Sequence, residues 1–487
     1  MKVIYVIPPK FKGKIPERIY GCSYTLYPIP NLAILYSAAV LEKAGHNIKI
    51  MDACADNISQ EEFIKILEGD CDYYIFHSVL LSAEVDKKAA AEIIKSKSDA
   101  TIIFFGPHPT YAPKEFLLNE NCVVARGEAE FIIEEIAGGK EQSKIKGISF
   151  LENGKVKNNE TAGVIEDINK IPFPARHFIE AKKYFNPKLG SEKFTNVLSS
   201  RGCAYKCYFC VPNSISWARE LEWKISDKKL AFMPSSSRKR YNNGKPPVTL
   251  RSAENVVEEV TSLANEGYEQ ISFIDDQFVW KKERVLKICE GIKNLKINFG
   301  ILVRADYLTD EAVVKALAEA GCKYVDIGVE SFNQEILNDI HKNLNIGDVY
   351  KAINVLNKYK ITPKLNIMFG SSPLESKDTI RQTIEETKRL DIGYVMFSIC
   401  TPFPGTEFER AARENRWLVE DNAYNLDPAR KALVSYPALS SSELEEYVRK
   451  ANREFYLRPK IIKLHLKKIG STAELTQNIK IALRLLR

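Results

Sequence analysis

Three thiols stand close together in Ser199-Ser200-Arg201-Gly202-Cys203-Ala204-Tyr205-Lys206-Cys207-Tyr208-Phe209-Cys210. Cys203, Cys207 and Cys210 follow a C-x₃-C-x₂-C spacing, which lets three sulfurs reach three irons of one cubane cluster. Such cubanes ordinarily take four cysteine ligands. A three-cysteine loop leaves one iron open, and an open coordination position is what separates a catalytic metal site from a structural one. Gly202 and the small Ala204 let the backbone fold tightly around the sulfurs. A zinc site would want a fourth Cys or His in paired spacing, yet the closest histidine upstream is His177 and none follows until His341. Phe209, just before the last cysteine, is also unusual for a zinc knuckle. The other cysteines, Cys22, Cys54, Cys71, Cys122, Cys289, Cys322 and Cys400, are scattered in mostly apolar surroundings and read as buried free thiols. A reducing cytoplasm fits both this usage and an oxygen-sensitive cluster.

The triad and its aromatic resemble the signature of the radical S-adenosylmethionine (radical SAM) superfamily, C-x₃-C-x-aromatic-C. The resemblance implies a 4Fe–4S cluster whose open iron chelates the amine and carboxylate of SAM. Reduction by a donor such as ferredoxin or flavodoxin then yields a 5′-deoxyadenosyl radical. The protein's share of such chemistry is to place the radical and exclude competing reactions.

Ahead of the triad, residues 1–145 alternate strand and helix. Val3–Ile7, Asn47–Met51, Tyr73–Phe76, Thr101–Phe105 and Cys122–Ala125 read as strands; Leu32–Lys43, Phe63–Leu67 and Ala83–Ser96 read as helical. This alternation predicts a parallel, doubly wound, Rossmann-like sheet, whose ligands sit beyond the carboxyl ends of the strands. The loops at those ends are Pro8-Pro9, Asp52, Ser78 to Ser82, Gly106 to Thr110 and Arg126 to Glu128. No G-x-G-x-x-G follows the first strand, against a dinucleotide. The order of Pro28-Ile29-Pro30-Asn31-Leu32-Ala33, Phe105-Gly106-Pro107-His108-Pro109-Thr110 and Arg126-Gly127-Glu128-Ala129-Glu130 looks like the cobalamin-binding domain of the cobalamin-dependent radical SAM class. The D-x-H-x-x-G motif that gives cobalt a histidine is absent. The resemblance therefore implies base-off cobalamin without a protein histidine ligand. Its contacts would come from Ser78, Leu80 and Leu81 on the lower face, and from Gly106, His108, Gly127 and Glu128.

Residues 146–194 hold a hairpin, with Asn153-Gly154 as a type I′ turn, and the extended connector Pro172-Phe173-Pro174-Ala175-Arg176. From 195 to 405 the strand-then-helix rhythm returns. Strands at Thr195–Leu198, Ile271–Ile274, Asn298–Val303, Tyr324–Val329, Lys364–Phe369 and Tyr394–Cys400 predict a partial (βα)₆ barrel of TIM type, with polar or small residues at the strand ends where such folds build active sites. The resemblance implies that Glu330 accepts the ribose hydroxyls of SAM, with Ser331, Arg304 and Phe209 also in contact. Asp275-Asp276 stands where many relatives have Gly-Gly-Glu, which makes Asp276 the candidate for the SAM amine. An insert at 211–250, carrying Trp217, Arg219, Trp223, Arg238, Arg240 and Tyr241, is a candidate substrate lid. Residues 406–487 read as a helical domain.

The net charge of +7 is modest for 487 residues, and nucleic acid is not an expected partner. Part of that charge lies in Arg458 to Lys468, most simply a solvated helix face. No apolar run is long enough for a transmembrane helix. The reading is a cobalamin-dependent radical SAM C-methyltransferase acting on an unactivated carbon of a polypeptide side chain, a lipid, a tetrapyrrole or a natural-product intermediate. The alternatives are a cyclase or oxidoreductase with the same cofactors, and an RNA-modifying, methylthiotransferase-like enzyme. The latter would call for extra cluster cysteines near the N-terminus.

Overall fold

The computed structural model describes residues 1–11, 28–67, 71–184, 186, 188–189, 193–230, 246–419 and 431–466. Two compact units emerge. The first comprises Met1–Ala204, Pro212–Phe278 and Asn294–Asn298, and the second Tyr205–Val211, Val279–Lys293 and Phe299–Arg487.

In the first unit, β1 (Lys2–Ile7), β2 (Asn47–Asp52), β3 (Tyr73–His77), β4 (Thr101–Phe105) and β5 (Cys122–Ala125) run parallel in the order β2-β1-β3-β4-β5. Their near-continuous apolar sequences suit a sheet buried on both faces. Side chains alternate between two cores. Tyr5, Ile75, Ile103 and Val123 pack with α1 (Leu32–Lys43). Val6, Phe76, Phe104 and Val124 pack with Phe63 of α2 (Gln60–Leu67) and with Ala89 and Ile93 of α3 (Ala83–Ser96). Asn31 caps α1 by accepting from the Ile34 amide, and Gly45, at φ +84°, ends it. The chain reverses direction across the sheet at β1, the switch point beside which sheets of this kind place their ligands.

The 146–194 hairpin forms as expected, with Asn153 and Gly154 both at positive φ. Its strands β6 (Ile148–Glu152) and β7 (Lys155–Asn158) join the N-terminal sheet, β6 lying antiparallel to β5, so the sheet is mixed and seven-stranded.

The same unit holds β8 (Phe194–Val197), β9 (Ser200–Arg201), β10 (Thr249–Leu250) and β11 (Gln270–Phe273). β8 and β11 are parallel neighbours, and β9 and β10 form a short antiparallel pair. The insert differs from its reading as a long loop. Its described beginning is a helix, Ser214–Leu230, in which Trp217, Arg219, Glu222 and Trp223 are buried. Arg238, Arg240 and Tyr241 lie outside the described residues.

The second unit repeats strand and helix through β12 (Asn298–Leu302), β13 (Cys322–Glu330), β14 (Thr362–Phe369) and β15 (Tyr394–Ile399), each parallel to the next. With β8 and β11 these are the six strands expected of the (βα)₆ pattern. Val325, Ile327, Leu365, Ile367, Val395 and Phe397 are buried, while the alternate residues Asp326, Lys364, Asn366, Met368, Met396 and Ser398 are only partly buried. Gly300 on β12 has no room for a side chain, because a Cβ there would sit 2.0 Å from the Tyr324 ring. Beyond β15, helices Glu407–Glu414, Ser441–Tyr456 and Pro459–Leu466 follow. Ser440 and Glu443 close a capping box on the second, and Phe455 meets Phe397 at 6.4 Å between ring centres. Among the described residues no helix is long and apolar enough to cross a membrane.

Candidate functional site

The approach to Cys203 is held at every step within the first unit. Ser199 donates its amide and hydroxyl to Asp275, at 3.1 and 2.8 Å to Oδ1, and the Ser200 hydroxyl reaches the same oxygen. The Gly202 amide donates to Ser216 Oγ at 2.9 Å, and its φ of +92° is a conformation suited to glycine. Asp275 is therefore a brace for the strand that feeds the cysteines. Asp276, the residue favoured for the SAM amine, accepts from the Asn213 amide at 2.7 Å and from its side chain at 2.9 Å.

Cys207 and Cys210 belong to the second unit, where the Cys210 amide donates to the Cys207 carbonyl at 3.1 Å. Tyr208 and Phe209 pack on Ile336, Leu337 and Ile340, and the Tyr208 hydroxyl donates to the Ser371 carbonyl. Phe209 is thus a wedge that anchors the loop. Arg304 lies 3.7 Å over the Tyr205 ring, a cation–π contact, and donates to the carbonyls of Lys342 and Asn343 at 2.8 and 2.9 Å. Its guanidinium ties the cysteine loop to the 342–343 turn.

Glu330 ends β13 at φ +69°, where the β13–β14 register shifts. A bulky residue at such a φ is a strained feature of the kind found at functional sites. Its carboxylate, largely buried, accepts from Lys342 Nζ at 2.8 Å. Burial alone would lower the Lys342 ammonium, but Glu330 and the nearby Cys207 more than reverse this and hold it above its ordinary value. Ser331 accepts from the Asn333 amide at 3.1 Å and meets Thr383 Oγ1 at 3.3 Å. Lys342 was not among the sequence candidates; nothing in Ile340-His341-Lys342-Asn343 marks it before the chain folds. Close by, Glu375 accepts from the amides of Gly370, Ser371 and Ser372 and from the Ser371 hydroxyl. Its burial raises the carboxyl to about 7 against those donors.

On the sheet of the first unit, several expected cobalamin contacts already have partners in the chain. Ser78 Oγ donates to Asp86 at 2.6 Å. His108 is buried 3.4 Å from Glu115 and edge-on to Phe116; its hydrogen bond helps hold the Glu115 carboxyl below its usual range. Gly127 donates to Thr110 Oγ1 at 3.0 Å, and a Cβ on it would lie 3.1 Å from Glu222. Glu128 accepts from Arg201 at 2.7 Å and from the Ile165 amide at 2.7 Å. Leu80 is buried and Leu81 partly exposed at the end of β3. Gly106, at φ +106°, brings the end of β4 so close that a Cβ would stand 2.7 Å from the Ser78 carbonyl.

The donor set suits an iron cluster. Cys203, Cys207 and Cys210 are partly exposed, whereas Cys71, Cys122, Cys289, Cys322 and Cys400 are buried; Cys54 is partly exposed, and Cys22 lies outside the described residues. Among the described residues no three His, Cys, Asp or Glu side chains converge on a single metal ion; a cubane spreads its ligands over separate irons. The loops after β3, β4 and β5 stand at the carboxyl ends of the strands, where sheets of this kind bind their ligands.

Two domain families match the chain. A model of the B12 binding domain matches residues 22–137, and a model of the radical SAM superfamily matches residues 197–372. An uncharacterized methyltransferase of Pyrococcus horikoshii is 29% identical over 475 residues, covering 95% of this chain and 94% of that protein. The cytidylyl-2-hydroxyethylphosphonate methyltransferase of Streptomyces wedmorensis is 21% identical over 92% of this chain and 88% of its own. An anaerobic magnesium-protoporphyrin IX monomethyl ester cyclase of Synechocystis is 21% identical over 86% and 79%. Among solved structures, the cobalamin-dependent SAM radical enzyme OxsB shares the fold at a TM-score of 0.70 and 15% identity, over 99% of this chain and 70% of that one. The chain is therefore an enzyme of the cobalamin-dependent radical SAM family, methyltransferase-like in its relatives.

Proposed function

We propose that this enzyme is a C-methyltransferase that installs a methyl group on an unactivated carbon. The observation that carries the reading is a three-thiol loop in a chain whose N-terminal sheet matches a B12 binding domain. The match to a methyltransferase over 95% of the chain favours methyl transfer. When bound, the cluster with SAM supplies a hydrogen-abstracting radical and cobalamin supplies the methyl group.

The chain's own residues do the positioning. Cys203, Cys207 and Cys210 hold the cluster. Glu330 accepts ribose hydroxyls, and Lys342 beside it offers a cation to the SAM carboxylate. Leu80 and Leu81, with Val79, would meet cobalamin through apolar side chains, an environment that would suit a base-off cofactor without a histidine from this chain. His77 is bonded to Asn31 through Nδ1 at 3.0 Å, and His108 is packed against Phe116. A small electron-transfer protein of the ferredoxin or flavodoxin type serves as reductant. The cyclase among the relatives favours a second reading, radical chemistry on the same cofactors without methyl transfer.

The test is anaerobic absorption and metal analysis of enzyme produced with cobalamin. Stoichiometric cobalt beside roughly four irons per chain, and loss of SAM cleavage in Cys203→Ala, are expected. Iron without cobalt would remove methyl transfer from the reading, and 5′-deoxyadenosine from Cys203→Ala would remove the cluster assignment.

A further inference from the structure

Six charged side chains lie buried together in the first unit: Arg126, Arg201, Arg219, Glu128, Glu130 and Glu222. Arg201 is at their centre. It is 1% exposed and stands two residues before Cys203. Nη1 donates to Glu128 Oε1 at 2.7 Å and Nη2 to Glu130 Oε1 at 2.6 Å, while the guanidinium lies 5.5 Å over the Tyr36 ring. Its own carbonyl accepts from Arg219 Nη1 at 3.0 Å. Both carboxylates belong to the segment that leaves β5 just after Gly127, one of the strand-end loops assigned to cobalamin. Arg126, immediately before Gly127, pairs with Glu222 at 3.0 Å and bonds the Ile148 carbonyl at 2.6 Å.

Burying three cations and three anions is costly, and apolar residues of equal volume would often stabilise as well or better. What a forked guanidinium adds is geometry, because two carboxylates fix its plane and direction. Here that geometry joins the backbone two residues from the first cluster cysteine to the loop that follows β5. Burial alone would lower the Arg201 guanidinium, yet Glu130 and Glu128 more than reverse it and the group stays charged.

We propose that Arg201 is a positioning residue that couples the two cofactor sites, so that a bound cluster tightens cobalamin binding and bound cobalamin tightens the hold on the cluster. The inference rests on the cofactor assignment above. Ordering the 126–130 segment against the corrin fixes Glu128 and Glu130; these fix Arg201, and through Gly202 the direction of Cys203. By linkage the coupling factor is the same in both directions.

The experiment is an anaerobic absorbance titration of the full chain with hydroxocobalamin, once with the cluster in place and once after iron removal by a chelator. In the wild-type chain the dissociation constant should be at least about 5-fold lower with the cluster present, as for a typical allosteric coupling. Arg201→Lys keeps the charge but loses the fork, and Glu130→Gln removes one arm. In both, the ratio should fall to within about twofold of unity, with circular dichroism and cluster absorbance unchanged. A wild-type ratio near one, or an unaltered ratio in both variants, would overturn the proposal. Cobalamin binding without coupling rejects this inference alone, whereas no cobalamin binding in either state rejects the cofactor assignment with it.

Discussion

Replacing Lys342 with methionine should loosen the end of β13 sharply. The Lys342 and Glu330 side chains are 9% and 11% exposed and meet at 2.8 Å. At an effective dielectric constant near 20, two charges at that separation attract by about 6 kcal/mol, and desolvation cancels a good part of this. Removing one partner leaves the other charge buried and alone, which costs about 3–5 kcal/mol. The Lys342→Met variant carries that cost, and so does Glu330→Gln, which strands the ammonium. The double variant buries neither charge, so its loss should fall about 2–3 kcal/mol short of the sum. Hydrogen exchange of the β13 and β14 amides in cofactor-free enzyme reads this locally. A 3 kcal/mol loss corresponds to exchange roughly 100-fold faster in Lys342→Met. An acceleration below about threefold, or strict additivity in the double variant, would show that the pair is solvated and the reasoning wrong.

Glu330→Gly should be more stable than Glu330→Ala by about 0.5–1 kcal/mol despite glycine's greater freedom when unfolded, because φ +69° penalises any Cβ; chemical denaturation that ranks them the other way would remove the strain. Glu375 has its folded pKa raised to about 7 by burial, so the folded chain keeps a proton that the unfolded chain releases near its ordinary 4.5. This contribution is full below about 4.5 and is lost as pH rises through about 7. Wild type should therefore lose up to about 3 kcal/mol relative to Glu375→Gln between pH 5 and 8, and parallel pH–stability curves would contradict it. Glu259 is buried between Arg176 at 2.7 Å and Arg251. Burial raises its carboxyl, but the two arginines more than reverse this and hold it below its ordinary value, so its contribution is present above about 4.5 and lost as pH falls through the lower folded value. Acid unfolding of Glu259→Gln should show a shallower pH dependence than wild type. Gly106→Ala should cost about 1–3 kcal/mol and weaken hydroxocobalamin binding, since its Cβ would press on the Ser78 carbonyl; an unchanged melting temperature would mean that the loop yields.

What was legible in the sequence follows a physical divide. Thr101–Phe105 and Cys122–Ala125 appear at the residues expected because a parallel strand buried on both faces is a short, unbroken apolar run. Leu32–Lys43 is also found to the residue, marked by its Asn31 cap and Gly45 stop. The helix Ser214–Leu230 escaped notice because its buried side includes Arg219 and Glu222, whose charges are met by Glu128 and Arg126, distant in the chain. The hairpin was recognised by its Asn-Gly turn, but the strand it pairs with was not, since pairing partners leave no local signal. The same applies at the sites. Three cysteines within eight residues declare themselves, whereas the union of Arg201 with Glu128, 73 positions apart, exists only in the fold. Glu128 and Ser78 looked available to a ligand, and the fold gives each a partner of its own.

Along β13, β14 and β15 of the second unit, one face is fully buried and the other only partly so. Val325, Leu365 and Val395 and their like support the fold from one side, while on the other Asn366, Met396 and Ser398 are partly exposed and Asp326 is paired with Lys364 at 2.7 Å. A residue that contributes little packing can change without much risk of unfolding the chain. Positions 366, 396 and 398 thus form a surface on which mutation can explore new chemistry while the opposite face is held constant by its core. Such a separation of duties gives descendants of one scaffold room to diverge in what they accept, with little of the stability penalty that usually accompanies innovation inside a protein.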